Sequence, residues 1–231
     1  TYNEIENIES IVRAVFSLEK TFHILIVDDN SPDGTAQKVT ELQTEFSEKL
    51  FFEVRKKKSG LGTAYVHGFK WALQRNYEFI FEMDADFSHN PKDLERLHEA
   101  CVNGADLAVG SRYVTGVNVV NWPLSRVLLS YFASVYVRMI TGMKIMDATA
   151  GFICYKKHVL ETINLDKIKF IGYAFQIEMK YRAFAKKFNI QEVPVIFTDR
   201  TKGQSKMSGA IIKEAVFGVL SLRIKKFFNR L

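Results

Sequence analysis

Two aspartates separated by one small residue follow an apolar run in YEFIFEMDADFSH (77–89). Because strand side chains alternate between faces, Asp84 and Asp86 would point the same way and Ala85 the other way. Two like charges held together favour a hard divalent cation between them, such as Mg²⁺ or Mn²⁺. Ser88 and the helix start that follows also allow loop and capping chemistry. These residues alone leave a metal site and a capped loop open.

A second strand ending carries three more carboxylates. In HILIVDDNSPDGT (23–35), Asp28 and Asp29 end the apolar run and Asp33 precedes the next helix. Because ligands bind at the carboxyl ends of strands in such sheets, these groups could accept from a ribose diol or a base N–H. A proline-containing turn, capped by the neighbouring Asn or Ser, is the alternative for part of this set.

The connection RKKKSGLGTAYVHG (55–68) combines a basic run with two glycines. Gly60 and Gly62 permit close backbone approach, and the basic run could attract a phosphate. The spacing matches neither the Walker nor the dinucleotide-binding pattern, so a P-loop or Rossmann cofactor site is not predicted. A phosphate cradle and a solvated basic turn remain open.

Apolar strand-like runs alternate with helix-like segments, which predicts an α/β fold with a mostly parallel central sheet flanked by helices. The predicted strands are 23–27, 51–55, 78–83, 107–110, 152–155 and 190–197. The predicted helices are 33–46, 61–75, 91–103, 124–141 and 173–187. We expect a single domain, 1–231, whose two halves meet near residue 115.

The bulk composition limits the kinds of partner. A net charge of +6 predicts anionic partners, such as nucleotide phosphates or an acidic membrane surface. Nucleic acid is not predicted, because the basic residues are dispersed and show no aromatic-basic stacking pattern. Cys101 and Cys154 form no CxxC pair and are expected to be reduced core residues of a cytosolic protein. The composition carries no signal for the oligomeric state.

The chain begins at Thr1 with no Met and no signal peptide before it, so we expect that its start is trimmed. No apolar run reaches the roughly 20 residues of a bilayer span, so no transmembrane helix is predicted. Two segments instead have the pattern of amphipathic helices at a membrane interface. In 124–141, an Arg or Ser recurs every four residues from Arg126 to Arg138, and about 207–230 combines an apolar face with a basic end. Core packing followed by a solvated tail is the alternative.

Eight short motifs in collinear order cover nearly the whole chain. They are TYNE (1–4), VDDNSPDGT (27–35), GLGTAY (60–65), MDADFSH (83–89), GSRYV (110–114), NWPLSR (121–126), GYAFQIEM (172–179) and DRTKGQSKMS (199–208). With these motifs the sequence resembles the family-2 inverting glycosyltransferases of GT-A type fold, and within them the dolichyl and polyprenyl phosphate mannosyltransferases. The resemblance implies a nucleotide-sugar-binding half, 1–115, and an acceptor-binding half, 116–231.

The resemblance also implies roles for the residues of the donor site. Tyr2 and Glu4 would close over the nucleotide, and Val27 and Asp29 would hold the guanosine of GDP-mannose. Arg112, Arg200 and Lys206 are cationic candidates, the last two for contact with the donor diphosphate.

For the metal, the Asp84-Ala85-Asp86 trio resembles the DXD signature that holds Mg²⁺ or Mn²⁺ on the donor diphosphate. Ser88 stands where some relatives use a Gln as a third metal contact, and its side chain is shorter.

On the acceptor side, Arg112 and Arg126 would bind the lipid phosphate, and together with Asp86 they are the expected catalytic residues. A phosphate acceptor is already anionic at neutral pH, so transfer would be one in-line displacement that needs no general base and inverts the anomeric carbon. Asp147 is the nearest candidate for the base that hydroxyl-directed relatives use. A structural or acceptor-positioning role is favoured for it.

The expected function is therefore transfer of mannose from GDP-mannose to dolichyl or polyprenyl phosphate, by a protein that lies peripherally on the cytoplasmic face of a membrane. Transfer of glucose to polyprenyl phosphate, or of a sugar to a hydroxyl acceptor, is the alternative within enzymes. A non-catalytic nucleotide-sugar-binding scaffold at the membrane is the alternative outside them.

Overall fold

The computed structural model describes residues 1–200 and 209–227, and in these residues helices and strands alternate along most of the chain. The helices are α1 Ile8–Phe16, α2 Thr35–Glu45, α3 Leu61–Gln74, α4 Asp93–Val102, α5 Leu124–Thr141, α6 Lys157–Thr162, α7 Ala174–Ala185 and α8 Gly209–Phe227. The strands are β1 Ile24–Asp28, β2 Leu50–Val54, β3 Phe79–Glu82, β4 Leu107–Ser111, β5 Val119–Val120, β6 Ile153–Lys156, β7 Ile190–Pro194 and β8 Phe197–Thr198.

The strands form a four-stranded sheet in the order β3-β6-β4-β7 and two pairs, β1-β2 and β5-β8. Both pairs are parallel, as is β4-β7, whereas β6 runs antiparallel to β3 and β4. The predicted α/β fold, with helices flanking a mostly parallel sheet, is confirmed, and β6 is the exception. The direction of β6 cannot be predicted from the sequence. A strand buried on both faces is an apolar run whether it pairs parallel or antiparallel.

The predicted strand 190–197 is wrong in one respect, since two strands occupy it. β7 pairs with β4 in the four-stranded sheet, and β8 pairs with β5 in a separate two-stranded sheet. Pro194 ends β7 because it has no N–H to continue the ladder. The split matters for function, since it redirects the chain so that Asp199 and Arg200 follow β8 directly.

Helix α7 lies inside the protein, with buried residues at every position from Ala174 to Ala183. Its charged residues have internal partners: Arg182 pairs with Glu178 at 2.7 Å, and Lys180 Nζ donates to the carbonyl of Ala150 at 2.6 Å. Buried charges need such partners, because an isolated one costs several kcal/mol. The helix therefore forms a fixed support behind the sheet.

Candidate active site

The DAD aspartates lie in the loop immediately after β3. Asp86 is 4% exposed, and its Oδ1 accepts a hydrogen bond from the backbone N–H of Ser88 at 3.0 Å. Its Oδ2 lies 2.8 Å from Nη2 of Arg200. One oxygen of the carboxylate thus shapes the loop, and the other meets the positive charge of Arg200.

Asp84 is held less tightly, with the hydroxyl of Tyr65 donating to Oδ1 at 3.4 Å. Burial raises the pKa of Asp84 to about 6, the negative charge of Asp86 adds to the rise, and Arg200 opposes it. The two carboxylates thus repel each other when both are ionised. A cation between them would relieve that repulsion.

Within the described residues, no group of three or more His, Cys, Asp and Glu side chains is placed to hold a metal ion. The carboxylate pair still fits Mg²⁺ or Mn²⁺, since such ions take one or two protein carboxylates and complete their shell with substrate phosphates and water. Arg200 on Asp86 shows that a cation is accepted at this position. Ser88 is buried beside the pair, and its part as a third ligand stays a prediction.

A cavity of about 670 Å³ brings most of the predicted donor residues together. Its apolar floor extends between β1 and β3, two strands that are not hydrogen-bonded to each other. The predicted site residues in its lining are Tyr2, Glu4, Val27, Asp29, Asp84, Ala85, Asp86 and Arg200. Lys206 lies outside the described residues.

The three carboxylates at and just after the end of β1 are of two kinds. Asp28 accepts from the backbone and hydroxyl of Ser31, and Asp33 accepts from the backbone and hydroxyl of Thr35, so both serve the turn. Asp29 instead lines the cavity, and Nε of Arg55 donates to its Oδ1. The turn interpretation therefore accounts for Asp28 and Asp33, whereas Asp29 faces the cavity and its contact with a nucleotide stays a prediction.

The two glycines after β2 are explained by backbone packing. Gly60 has φ of +101°, and a Cβ placed on it would lie 2.7 Å from the carbonyl oxygen of Ile171. Gly62 donates its N–H to that carbonyl at 2.9 Å, and a Cβ there would lie 2.5 Å from the carbonyl oxygen of Phe170. Both glycines thus let the segment at 170–171 approach the start of α3.

Arg112 and Asp147 form a buried ion pair. Nε and Nη2 of Arg112 each lie 2.7 Å from a different oxygen of Asp147, and the backbone N–H of Arg112 donates to the same carboxylate at 3.0 Å. Burial alone would raise the pKa of Asp147, but Arg112 more than offsets it and holds the pKa below its usual value. Neither residue lines the cavity around Asp86, so an acceptor contact for Arg112 stays a prediction.

Arg126 is the more accessible of the two predicted acceptor arginines, with its side chain 25% exposed. Its Nη1 lies 2.8 Å from Oδ1 of Asp199, and its guanidinium lies 4.0 Å from the centre of the Trp122 ring. Asp199 directly precedes Arg200, so Arg126 and Asp86 are joined through two neighbouring residues.

Sequence reasoning missed two groups that shape this site. Arg55 was treated only as part of a basic run, because its partner Asp29 lies 26 residues away. Glu82 on β3 is buried and accepts from the hydroxyl of Tyr155 at 3.0 Å, with Lys180 as its charged neighbour. Burial raises the pKa of Glu82 and lowers that of Lys180, and each charge opposes the shift of the other. A lone charge in an apolar strand has no local signal that reveals such a partner.

Comparison with known proteins agrees with this geometry. Residues 1–163 match the family described as glycosyl transferase family 2. The chain belongs to glycosyl transferase family 2. This membership confirms the family to which the eight sequence motifs point.

Two relatives within the family match almost the whole chain. The chain is 46% identical over 230 residues to a polyprenol monophosphomannose synthase of Mycolicibacterium smegmatis, covering 100% of this chain and 87% of that protein. It is 43% identical over 219 residues to an undecaprenyl-phosphate mannosyltransferase of Micrococcus luteus, covering 95% and 89%. The expected similarity to polyprenyl phosphate mannosyltransferases is thus confirmed.

Among solved structures, the chain is similar to glucosyl-3-phosphoglycerate synthase from Mycobacterium tuberculosis in complex with Mg²⁺ and uridine diphosphate. The TM-score is 0.68 at 17% identity, and the match covers 96% of this chain and 76% of that one. At this identity the similarity concerns the fold, which agrees with the GT-A type architecture expected for the family.

Proposed function

We propose that the protein transfers mannose from GDP-mannose to dolichyl or another polyprenyl phosphate, with inversion at the anomeric carbon. The observation that carries the proposal is the 46% identity, over the whole chain, with an enzyme named for polyprenol and mannose. The arrangement of charged residues around the cavity supports the proposal.

The donor is assigned to the cavity beside β1 and β3, so that the half 1–115 supplies most of the nucleotide site. Tyr2, Glu4, Val27 and Asp29 would contact the guanosine, since they line the cavity at the end of β1. Arg200, and Lys206 beyond the described residues, would contact the diphosphate.

Asp84 and Asp86 would hold Mg²⁺ or Mn²⁺ at the diphosphate, with Ser88 as the third candidate ligand. The bound ion would supply Lewis-acid stabilisation of the departing diphosphate. Asp86 is already fixed by the backbone of Ser88, so the protein would orient this carboxylate before any ligand arrives.

The acceptor phosphate oxygen would attack the anomeric carbon while the bond from that carbon to the GDP oxygen breaks. A phosphate monoester loses its second proton at about pH 6, so its oxygen needs no protein base. Asp147 suits this scheme, because Arg112 holds its carboxylate on two sides and lowers its pKa. Arg126, in the half 116–231, would bind the acceptor phosphate together with Arg112, which lies just before the boundary between the two halves.

Helices α5 and α8 are proposed as the surface that meets the membrane. The polar stripe of α5 turns inward: Ser134 is 1% exposed, whereas Phe132 and Met139 on the apolar side are 60% and 78% exposed. An amphipathic helix that faces water exposes its polar side and buries its apolar side. The hydroxyl of Tyr136 donates to the carbonyl of Val216 at 2.9 Å, which joins the two helices. In the part of α8 whose side chains are described, 216–227, the exposed apolar residues are Val216, Phe217, Leu220, Ile224 and Phe227.

This apolar surface favours a peripheral location, and we place the protein on the cytoplasmic face, where GDP-mannose would be available to it. In the described part of the chain, no helix combines the length and apolar character that crossing a bilayer requires. Exposed apolar residues on paired helices are typical of proteins that lie in the interface of a membrane.

The test is transfer of labelled mannose from GDP-mannose into organic-extractable polyprenyl phosphate, with and without a chelator. We expect chelator-sensitive mannolipid, and a loss of kcat/KM of roughly 100-fold or more in Asp86→Asn. Asp166→Asn, an exposed carboxylate outside the cavity, is the matched control and should keep its activity. Incorporation of glucose from a glucose donor, with no mannose incorporated, would overturn the proposal.

A further inference from the structure

Arg200 supplies positive charge to the carboxylate pair from within the chain. Its Nη2 lies 2.8 Å from Oδ2 of Asp86, and the two side chains are 19% and 3% exposed. A charge-assisted hydrogen bond with so little water around it is stronger than one at the surface.

Both oxygens of Asp86 are engaged in this arrangement. Oδ1 accepts from the backbone N–H of Ser88, which is fixed by the loop, and Oδ2 faces Arg200. A divalent cation that binds Oδ2 must therefore displace the guanidinium. The backbone donor cannot leave without changing the loop, whereas the long arginine side chain can rotate away.

The residue before Arg200 extends the connection. Oδ1 of Asp199 accepts from the backbone N–H of Arg200 at 3.1 Å and lies 2.8 Å from Nη1 of Arg126. Asp199 is anchored in turn, because its own N–H donates to the carbonyl of Val120 at 3.0 Å. Arg200 can therefore leave Asp86 while the backbone at its base stays in place.

We propose that Arg200 is a built-in competitor of the divalent cation: it neutralises Asp86 until the cation arrives, and the released guanidinium then turns to the donor diphosphate. This inference rests on the proposed function, because it takes Asp86 as a metal ligand. A positive charge therefore lies beside the two carboxylates both before and after the divalent cation binds. It also delivers a positive charge to the diphosphate at the time when the donor and the cation bind.

The experiment measures Mn²⁺ affinity by electron paramagnetic resonance and calorimetry, on the full chain, with no nucleotide present. We expect Arg200→Gln to bind Mn²⁺ about tenfold more tightly than the unmodified protein, because a charge-assisted hydrogen bond no longer has to be broken. Arg126→Gln is the matched control: it removes the same charge from the neighbouring ion pair, which does not involve Asp86. Its Mn²⁺ affinity should change about twofold or less.

An unchanged or weaker Mn²⁺ affinity in Arg200→Gln would overturn the inference. An equal gain in both variants would also overturn it, because the effect would then follow from net charge rather than from the contact with Asp86. Absence of Mn²⁺ binding in every variant would overturn the inference together with the metal site. If the competition is observed while no mannolipid forms, the inference holds and the proposed sugar or acceptor is wrong.

Discussion

Replacement of Asp147 by Asn tests whether the buried pair with Arg112 is structural. Asp147 is fully buried, and its two oxygens receive three hydrogen bonds from Arg112. The substitution removes the negative charge and leaves a buried guanidinium with an amide in place of its counter-ion. Nearly the same shape is kept, so the measured effect reports the charge and hydrogen bonds rather than a cavity.

Breaking a buried ion pair from one side costs about 3–5 kcal/mol of unfolding free energy. The asparagine side chain would keep one acceptor oxygen, so we expect the lower end of that range for Asp147→Asn. For a domain of this size each kcal/mol corresponds to about 2–4 °C, and the melting temperature should fall by at least ~6 °C.

Urea unfolding at several pH values is the assay, with Asp166→Asn as control. Asp166 pairs with Lys70, but its side chain is 79% exposed, so its loss should have a much smaller effect. Because the pKa of Asp147 is lowered in the folded state, the stabilising effect of its charge is present above the usual Asp value of 3.8 and is lost as the pH falls further. The difference between the unmodified protein and Asp147→Asn should therefore persist down to about pH 4 and shrink below it.

A loss of less than about 1 kcal/mol would refute this reasoning, since it would show that Arg112 does not depend on Asp147 for its charge balance. A stable Asp147→Asn variant with a low transfer rate that no longer falls at acidic pH would point instead to Asp147 as a general base. That result would favour a hydroxyl acceptor over a phosphate.

Three further outcomes follow from the described contacts. Gly60→Ala should have a free energy of unfolding about 1–3 kcal/mol lower than that of Gly104→Ala, which thermal unfolding measures. Both glycines have positive φ, but only a Cβ on residue 60 would meet a backbone oxygen. Burial lowers the pKa of His89 to about 4, so between pH 6.5 and 4 the unfolded chain is protonated first and the folded protein loses stability. His89→Phe should lose less stability over this range, as measured by urea unfolding at each pH. Phe217→Ser should lower binding to anionic vesicles about tenfold in a sedimentation assay, whereas Val102→Ser, on α4, should not.

Elements with strong local signals were predictable from the sequence. Helix α5 has the predicted bounds, because Pro123 precedes it and Gly142, with φ of +74°, ends it. Helix α1 was missed, although its buried residues recur at helical spacing: Ile8, Ile11, Val12 and Val15. A nine-residue amphipathic segment was therefore readable but was not recognised as a helix.

The candidate site was predictable from the sequence only in part. Asp84 and Asp86 are visible because they follow a strand two residues apart, and the structure places both at one cavity. The partners of the charged residues are not visible, because they come from distant parts of the chain: Arg112 meets Asp147 across 35 residues, and Arg126 meets Asp199 across 73. Only the folded structure shows which carboxylates are already paired with an arginine.

Trp122 has a consequence for how the acceptor side can be observed. Its ring lies 4.0 Å from the guanidinium of Arg126 and 5.4 Å from that of Arg112, and Trp71 is the other tryptophan of the chain. An anion that draws Arg126 away from the indole changes the electric field at the fluorophore and hence its emission. In a Trp71→Phe background, the protein therefore carries an intrinsic optical reporter of anion arrival, which follows binding in real time without a label on the lipid.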